Sequence, residues 1–150
     1  MKITKVGYNN RRKIFSVKTH RAKYEYPYAR LDQELTDHLV REVYVDRELG
    51  GEAFTYVLES GSEGTVHIDS VLDYNSDPMY LADLILCKLT IEAQKRVDES
   101  TISRNELIRR LKTSPSQFAR LLDQTNYRKL FRQLVARLAL LDCSVEVEVK

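Results

Sequence analysis

The sequence predicts an α+β protein: a small antiparallel β domain over residues 1–77, then an all-α domain over residues 78–150 that carries a C-terminal β-strand. Three observations predict it. Short runs rich in β-branched and aromatic residues, separated by turn signals, fill the first half. The apolar period becomes helical after LDYNSDPMY, Leu72 to Tyr80. CSVEVEV alternates Val145, Val147 and Val149 with glutamates, the pattern of a strand with one dry and one wet face. With 150 residues, 43% apolar and 31% charged, the chain can bury one sizeable core or two small ones, so disorder is not expected.

KITKVGY and KIFSVKT flank NNRR, whose asparagines suit the positive φ of a hairpin turn. AKYEYPYARL, VREVYVD, AFTYVLES and GTVHIDSVL are further strand candidates, divided by reversals at Leu49 to Gly51 and Ser60 to Gly64. Such spacing predicts a small antiparallel sheet or a partly closed barrel, with Pro27 at an edge or a bulge. Asp77 then stands as an N-cap before Pro78 in the first helical position. Leu81, Leu84, Ile85, Leu89, Ala93 and Val97 predict one long helix to about Asp98, or two with a break near Thr90. After the loop ESTI come two short helices, and then YRKLFRQLVARLALL with an inward stripe of Leu130, Phe131, Leu134, Val135, Leu138 and Leu141.

The longest apolar run, LADLILCKLTI, is broken by Asp83 and Lys88, and MKITKVGYNNRRK lacks the apolar centre of a signal peptide. A soluble cytoplasmic protein without membrane contact is expected. Cys87 and Cys143 lie in apolar patterns without metal-ligand spacing and read as small buried hydrophobes. Net charge is +2, but it is unevenly distributed. Residues 1–24 carry eight Lys/Arg and no acid, residues 25–77 carry three basic against thirteen acidic residues, and residues 101–137 carry nine Lys/Arg against Glu106 and Asp123. The basic segments can attract polyphosphate or an acidic partner; the first can equally pair with the acidic second segment across a sheet, whereas the third has no acidic run beside it.

The third segment holds SRNELIRRLKTSPSQFARLL, Ser103 to Leu122. Ser103 and Glu106 form an S-x-x-E capping box, and Ser114, Pro115 and Gln117 repeat the device. With little more than Lys112 and Thr113 between them the helices must cross steeply, packing Leu107, Leu111, Phe118 and Leu121 in the angle and projecting the second helix outwards. A DNA major groove, about 12 Å wide, admits one such helix. Pro115, Ser116, Gln117, Ala119 and Arg120 would then meet base edges, Gln117 matching adenine and Arg120 guanine. Arg104, Lys112, Ser114, Arg128, Lys129 and Arg132 are the candidate phosphate contacts, Arg104 being helped by the start of its helix. Solvated arginines on an ordinary helical bundle would give the same periodicity.

On these residues the stretch resembles the phage-repressor-like, Xre-type helix-turn-helix family of bacterial regulators and antitoxins, over roughly residues 90–142. The match rests on Leu107 and Leu111 in the first helix and on Ser114, Phe118 and Leu121 in the second. Two positions depart from it: the family usually has a small residue at Ile108 and a glycine at Lys112. A left-handed Lys112 would cost on the order of 1 kcal/mol relative to glycine. The resemblance implies a DNA-binding transcription regulator, and CSVEVEV is similar to the dimerisation strand that ends many such antitoxins. A toxin-like protein partner is the alternative it implies.

Catalysis finds little support. His20, His38 and His67 are far apart, the five glycines fall in turns, and no cofactor or metal motif is present. His67 and Asp69 would share a face of an alternating strand, as a catalytic or a solvated pair. Tyr24, Tyr26 and Tyr28 would also share a face, to stack on bases or to fill a core. The β half vaguely resembles small uncharacterised domains that precede helix-turn-helix modules, and its roles could be dimerisation, partner capture or ligand sensing. The expectation is a sequence-specific regulator that is not an enzyme, binds duplex DNA and acts as a homodimer, since one short helix reads few base pairs.

Overall fold

Alternation in the first half produces strands in a computed structural model of the chain, which describes residues 1–31, 39–129 and 131–149. Strands β1 (Ile3–Asn9), β2 (Ile14–Thr19) and β3 (Lys23–Pro27) form one antiparallel sheet in that order. Strands β4 (Val40–Asp46), β5 (Ala53–Leu58) and β6 (Glu63–His67) form a second. Helices α1 (Ile68–Tyr74), α2 (Pro78–Glu99), α3 (Arg104–Arg110), α4 (Pro115–Leu122) and α5 (Phe131–Leu140) follow, so the fold is α+β. The chain divides into two compact units, Met1–Leu81 and Ala82–Lys150.

In the first unit both sheets face a single core. Phe15, Val17, Tyr24 and Tyr26 come from one sheet, Phe54, Tyr56, Leu58 and Val66 from the other, and Ile68, Val71 and Leu72 of α1 join them. The Phe15 ring lies 5.0 Å from Phe54 and 5.6 Å from Tyr56, centroid to centroid, which joins the sheets through aromatic contacts worth about 0.5–1.5 kcal/mol each beyond burial. The sheets do not merge into one barrel. Where β1 and β4 run side by side, side chains substitute for a ladder. Asn10 donates from Nδ2 to the Val40 carbonyl (2.9 Å), and its Oδ1 accepts from the Val40 N–H (3.0 Å), so the side-chain amide pairs as a peptide unit would. The same Oδ1 accepts from the Tyr28 hydroxyl at 3.0 Å.

Several expectations change in this unit. In the NNRR turn the positive φ falls on Lys13 (53°), because Asn9 is occupied with the Arg12 N–H and Asn10 reaches to β4. GTVHIDSVL is a strand only as far as His67. The His67 Nδ1 caps α1 by accepting from the Asp69 N–H (3.3 Å), and Ile68, Val71 and Leu72 are buried at helical spacing. His67 and Asp69 are therefore an exposed cap and first-turn pair, not neighbours on a strand face. Tyr24, Tyr26 and Tyr28 are all buried, which removes base stacking as their role. Pro27 ends the edge strand β3. His38 lies outside the described residues.

Two packing details follow from register. Gly64 stands opposite Tyr56, and a Cβ there would come within 2.3 Å of the tyrosine Oη, so the ring lies over bare backbone. On the outer face of the first sheet, Lys18 is paired with Lys5 on one side and Lys23 on the other, three exposed ammonium groups abreast. Across the basic and acidic segments of this unit, the ion pair between described side chains is Arg12 with Glu25, at 3.1 Å.

In the second unit α2 is continuous. The Thr90 hydroxyl donates to the Leu86 carbonyl (2.7 Å), which satisfies it without a break. Leu86, Thr90, Ala93 and Val97 form its buried face, whereas Ile85 is 56% exposed, so the inward stripe is rotated from the expected one. Leu107, Phe118, Leu121, Leu122, Leu134 and Leu138 complete this core. Of the expected α5 stripe, Phe131 is exposed as the first helical residue, and Leu130 lies outside the described residues. The expected C-terminal strand is absent from residues 143–149. At the end of α5, Asp142 takes φ 57° and the Cys143 N–H returns to the Leu138 carbonyl, so that Cys143 and Val145 pack against the helical core, and among the described residues no strand lies beside them to pair the backbone. Val147 and Val149 are exposed there. Cys87 and Cys143 are half-buried free thiols, and among the described residues no helix is long and apolar enough to cross a membrane.

Candidate nucleic-acid interface

Capping sets the α3–α4 geometry. The Ser103 Oγ accepts from the Glu106 N–H (3.2 Å), but the Glu106 carboxylate does not complete the box. It is gripped by Arg109 (2.6 and 2.8 Å) and Arg110 (2.8 Å), which hold its acidity at a pKa of about 2, Arg109 first. α3 closes with paired bonds from the Thr113 N–H to the Ile108 carbonyl and from the Lys112 N–H to the Arg109 carbonyl. Lys112 occupies the left-handed position of that closure at φ 50°, where glycine is usual.

α4 starts at once. The Ser114 Oγ accepts from the Gln117 N–H (3.2 Å), Pro115 occupies the first turn, and the Thr113 hydroxyl donates to the Gln117 Oε1 (3.1 Å). Phe118, Leu121 and Leu122 are buried. On the opposite side Pro115, Ser116, Gln117, Ala119 and Arg120 are all exposed.

The expected phosphate contacts separate into two groups. Arg104, Lys112, Arg128 and Arg132 are exposed. Ser114 spends its hydroxyl on the cap and on Ser116. Lys129 is turned inwards: its Nζ donates to the Thr90 Oγ1 (2.7 Å), to the Leu121 carbonyl (3.2 Å) and to the Asp123 carbonyl, tying the end of α4 to α2. Three N–H groups so used leave none for a phosphate. Burial pushes the Lys129 pKa down.

Sequence reasoning missed Arg137. It is 0% exposed, its Cζ lies 3.9 Å from the Phe118 ring centroid, and none of its guanidinium nitrogens has a hydrogen-bond partner. Burial, and then Arg104, push its pKa down to about 10, which leaves it charged at neutral pH. The signal was present: Arg137 stands three residues after Leu134 and four before Leu141, on the helical face that is buried. Arg137 lines a cleft of about 360 Å³ together with Lys112, Gln117, Arg120, Lys129 and Gln133. The structure thus brings four of the expected contacts together around a residue that was not expected; Arg104, Ser114, Pro115, Ser116, Ala119, Arg128 and Arg132 do not line the cleft.

No protein-family model, curated protein or solved structure matches the chain.

Proposed function

We propose that α4 is a duplex-reading helix and that the protein is a sequence-specific DNA-binding regulator of the Xre-like helix-turn-helix kind, acting in the cytoplasm as a homodimer. The observation that carries the reading is the two-sidedness of α4: Phe118, Leu121 and Leu122 are buried, while Pro115, Ser116, Gln117, Ala119 and Arg120 meet solvent. Gln117 would read adenine; its Oε1 keeps a second lone pair beyond the one that Thr113 uses. Arg120 would read guanine, with Arg104, Lys112, Arg128 and Arg132 on phosphates. Lys129 is left out because its ammonium is committed inside the fold.

Residues 143–149 support the dimer: as an added strand they would pair with the same segment of a second copy and cover Val147 and Val149. The test is fluorescence anisotropy of the full chain with duplexes selected from a random pool. Four phosphate contacts per protomer, eight in the homodimer, predict a log–log salt slope of about −7. Gln117→Ala should narrow the gap between selected and random duplex by about 1–3 kcal/mol, and Arg128→Ala should weaken both alike. A flat salt response, or equal effects of the two substitutions on both duplexes, overturns the reading. A second reading, an antitoxin or adaptor whose helices bind a partner protein, is favoured by the exposed Ile85, Ile91 and Phe131. One stoichiometric partner with no duplex retention at low salt would select it.

A further inference from the structure

Among the described residues, the buried side-chain polar atoms left without hydrogen-bond partners all belong to Arg137. A guanidinium offers five N–H donors, and burying it unpaired is among the most costly arrangements a core can hold. The Phe118 ring face, 3.9 Å from the Arg137 Cζ, offsets the charge only in part, and among the described residues the charged neighbours, Arg104 and Lys129, are both cations. The cleft that Arg137 lines has Lys112, Arg120 and Lys129 around it and no Asp or Glu in its wall. Its volume of about 360 Å³ lies near the lower end of the roughly 300–1,000 Å³ of ligand pockets, a metabolite-sized space.

We propose that this cleft binds a small phosphate-bearing molecule, with the Arg137 guanidinium receiving its oxyanion at the floor and the exposed Lys112 and Arg120 holding it at the mouth. Four cations exceed what one carboxylate can balance, whereas a phosphate monoester brings a charge of about −1.5 to −2 and three acceptor oxygens. Arg makes paired, parallel bonds to such a group. Lys129 contributes field and no donor, because its N–H groups are already used. Because Arg137 is 0% exposed, its guanidinium meets an oxyanion only once a wall side chain of the cleft moves aside, which admits a small free molecule and not a phosphate held in a duplex backbone. Gln117 and Arg120 belong both to the cleft wall and to the exposed side of α4. Resting on the DNA-binding reading, an occupied cleft withdraws Arg120 from the groove, so the ligand acts as a release signal.

The experiment titrates the full chain with inorganic phosphate at fixed ionic strength, with chloride as the control, and follows the thermal midpoint. Phosphate should raise the midpoint saturably, by about several degrees, and chloride should not. Arg137→Met should be at least as stable as the parent in phosphate-free buffer, because an apolar side chain replaces an unpaired charge, and should lose the phosphate response. Arg120→Gln, at an exposed position, should fold normally and bind phosphate about tenfold or more weakly. A parent that does not respond, an Arg137→Met protein less stable than the parent without phosphate, or an Arg120→Gln protein of unchanged affinity each overturns the site. Duplex retention with and without phosphate separates the two readings. Phosphate binding by a chain that never holds duplex keeps the site and removes the DNA reading, whereas duplex binding indifferent to phosphate removes the release signal.

Discussion

In the Met1–Leu81 unit the tyrosine hydroxyls at the edge of the core are met from within the chain: Tyr24 by Asp77 (2.8 Å), Tyr28 by Asn10 (3.0 Å) and Tyr26 by the Arg30 carbonyl (3.3 Å). In the Ala82–Lys150 unit Lys129 finds three acceptors and Arg137 finds none. Both cores bury polar groups; they differ in whether the chain completes them. A completed polar group fixes the fold and is costly to remove. An incomplete one is already costly, and a ligand that supplied the missing acceptors would lower that cost at Arg137, whereas the tyrosines have no such need.

The largest effect should break the β unit. Asn10→Ala removes the partner of the Val40 N–H, the Val40 carbonyl and the Tyr28 hydroxyl together, and should cost about 2–4 kcal/mol in urea unfolding. If it is tolerated as well as Arg137→Met, the contrast between the units collapses. Next comes Lys129→Met, the completed cation of the helical unit. Loss of its bonds to Thr90, Leu121 and Asp123 should cost about 2 kcal/mol and raise hydrogen exchange at the end of α4, the opposite sign to the neighbouring arginine. The smallest effect sharpens the picture of the turn: Lys112→Gly should stabilise the chain by about 1 kcal/mol by relieving the left-handed φ, while removing one cation from the cleft. A midpoint unchanged by that substitution would mean that the lysine pays no conformational penalty.

Legibility from sequence followed the locality of each feature. The Ser103 and Ser114 caps and Pro115 depend on a few adjacent residues, so their residue types suffice to place them, whereas the left-handed Lys112 was legible only through the helix-turn-helix resemblance, since lysine itself disfavours a positive φ. α1 was hidden because HIDSVL fits both a buried strand and a buried helix, and the His67 cap decides between them. The rotation of the α2 stripe, which leaves Ile85 outside and Thr90 inside, depends on what the helix packs against. The strand expected at residues 143–149 needs a neighbour that the described residues do not supply. Arg137 was passed over because an arginine reads as a solvated residue even when its position on the helix is an inward one.

The row formed by Lys5, Lys18 and Lys23 has a colloidal consequence. A broad β-surface is prone to stacking against its twin, and three like charges abreast make that approach repulsive wherever counterions are dilute. Raising the ionic strength past about 0.15 M shortens the reach of that repulsion to about 8 Å. Light scattering of concentrated stocks should therefore rise on adding salt instead of falling, and storage in dilute buffer should keep the particles apart.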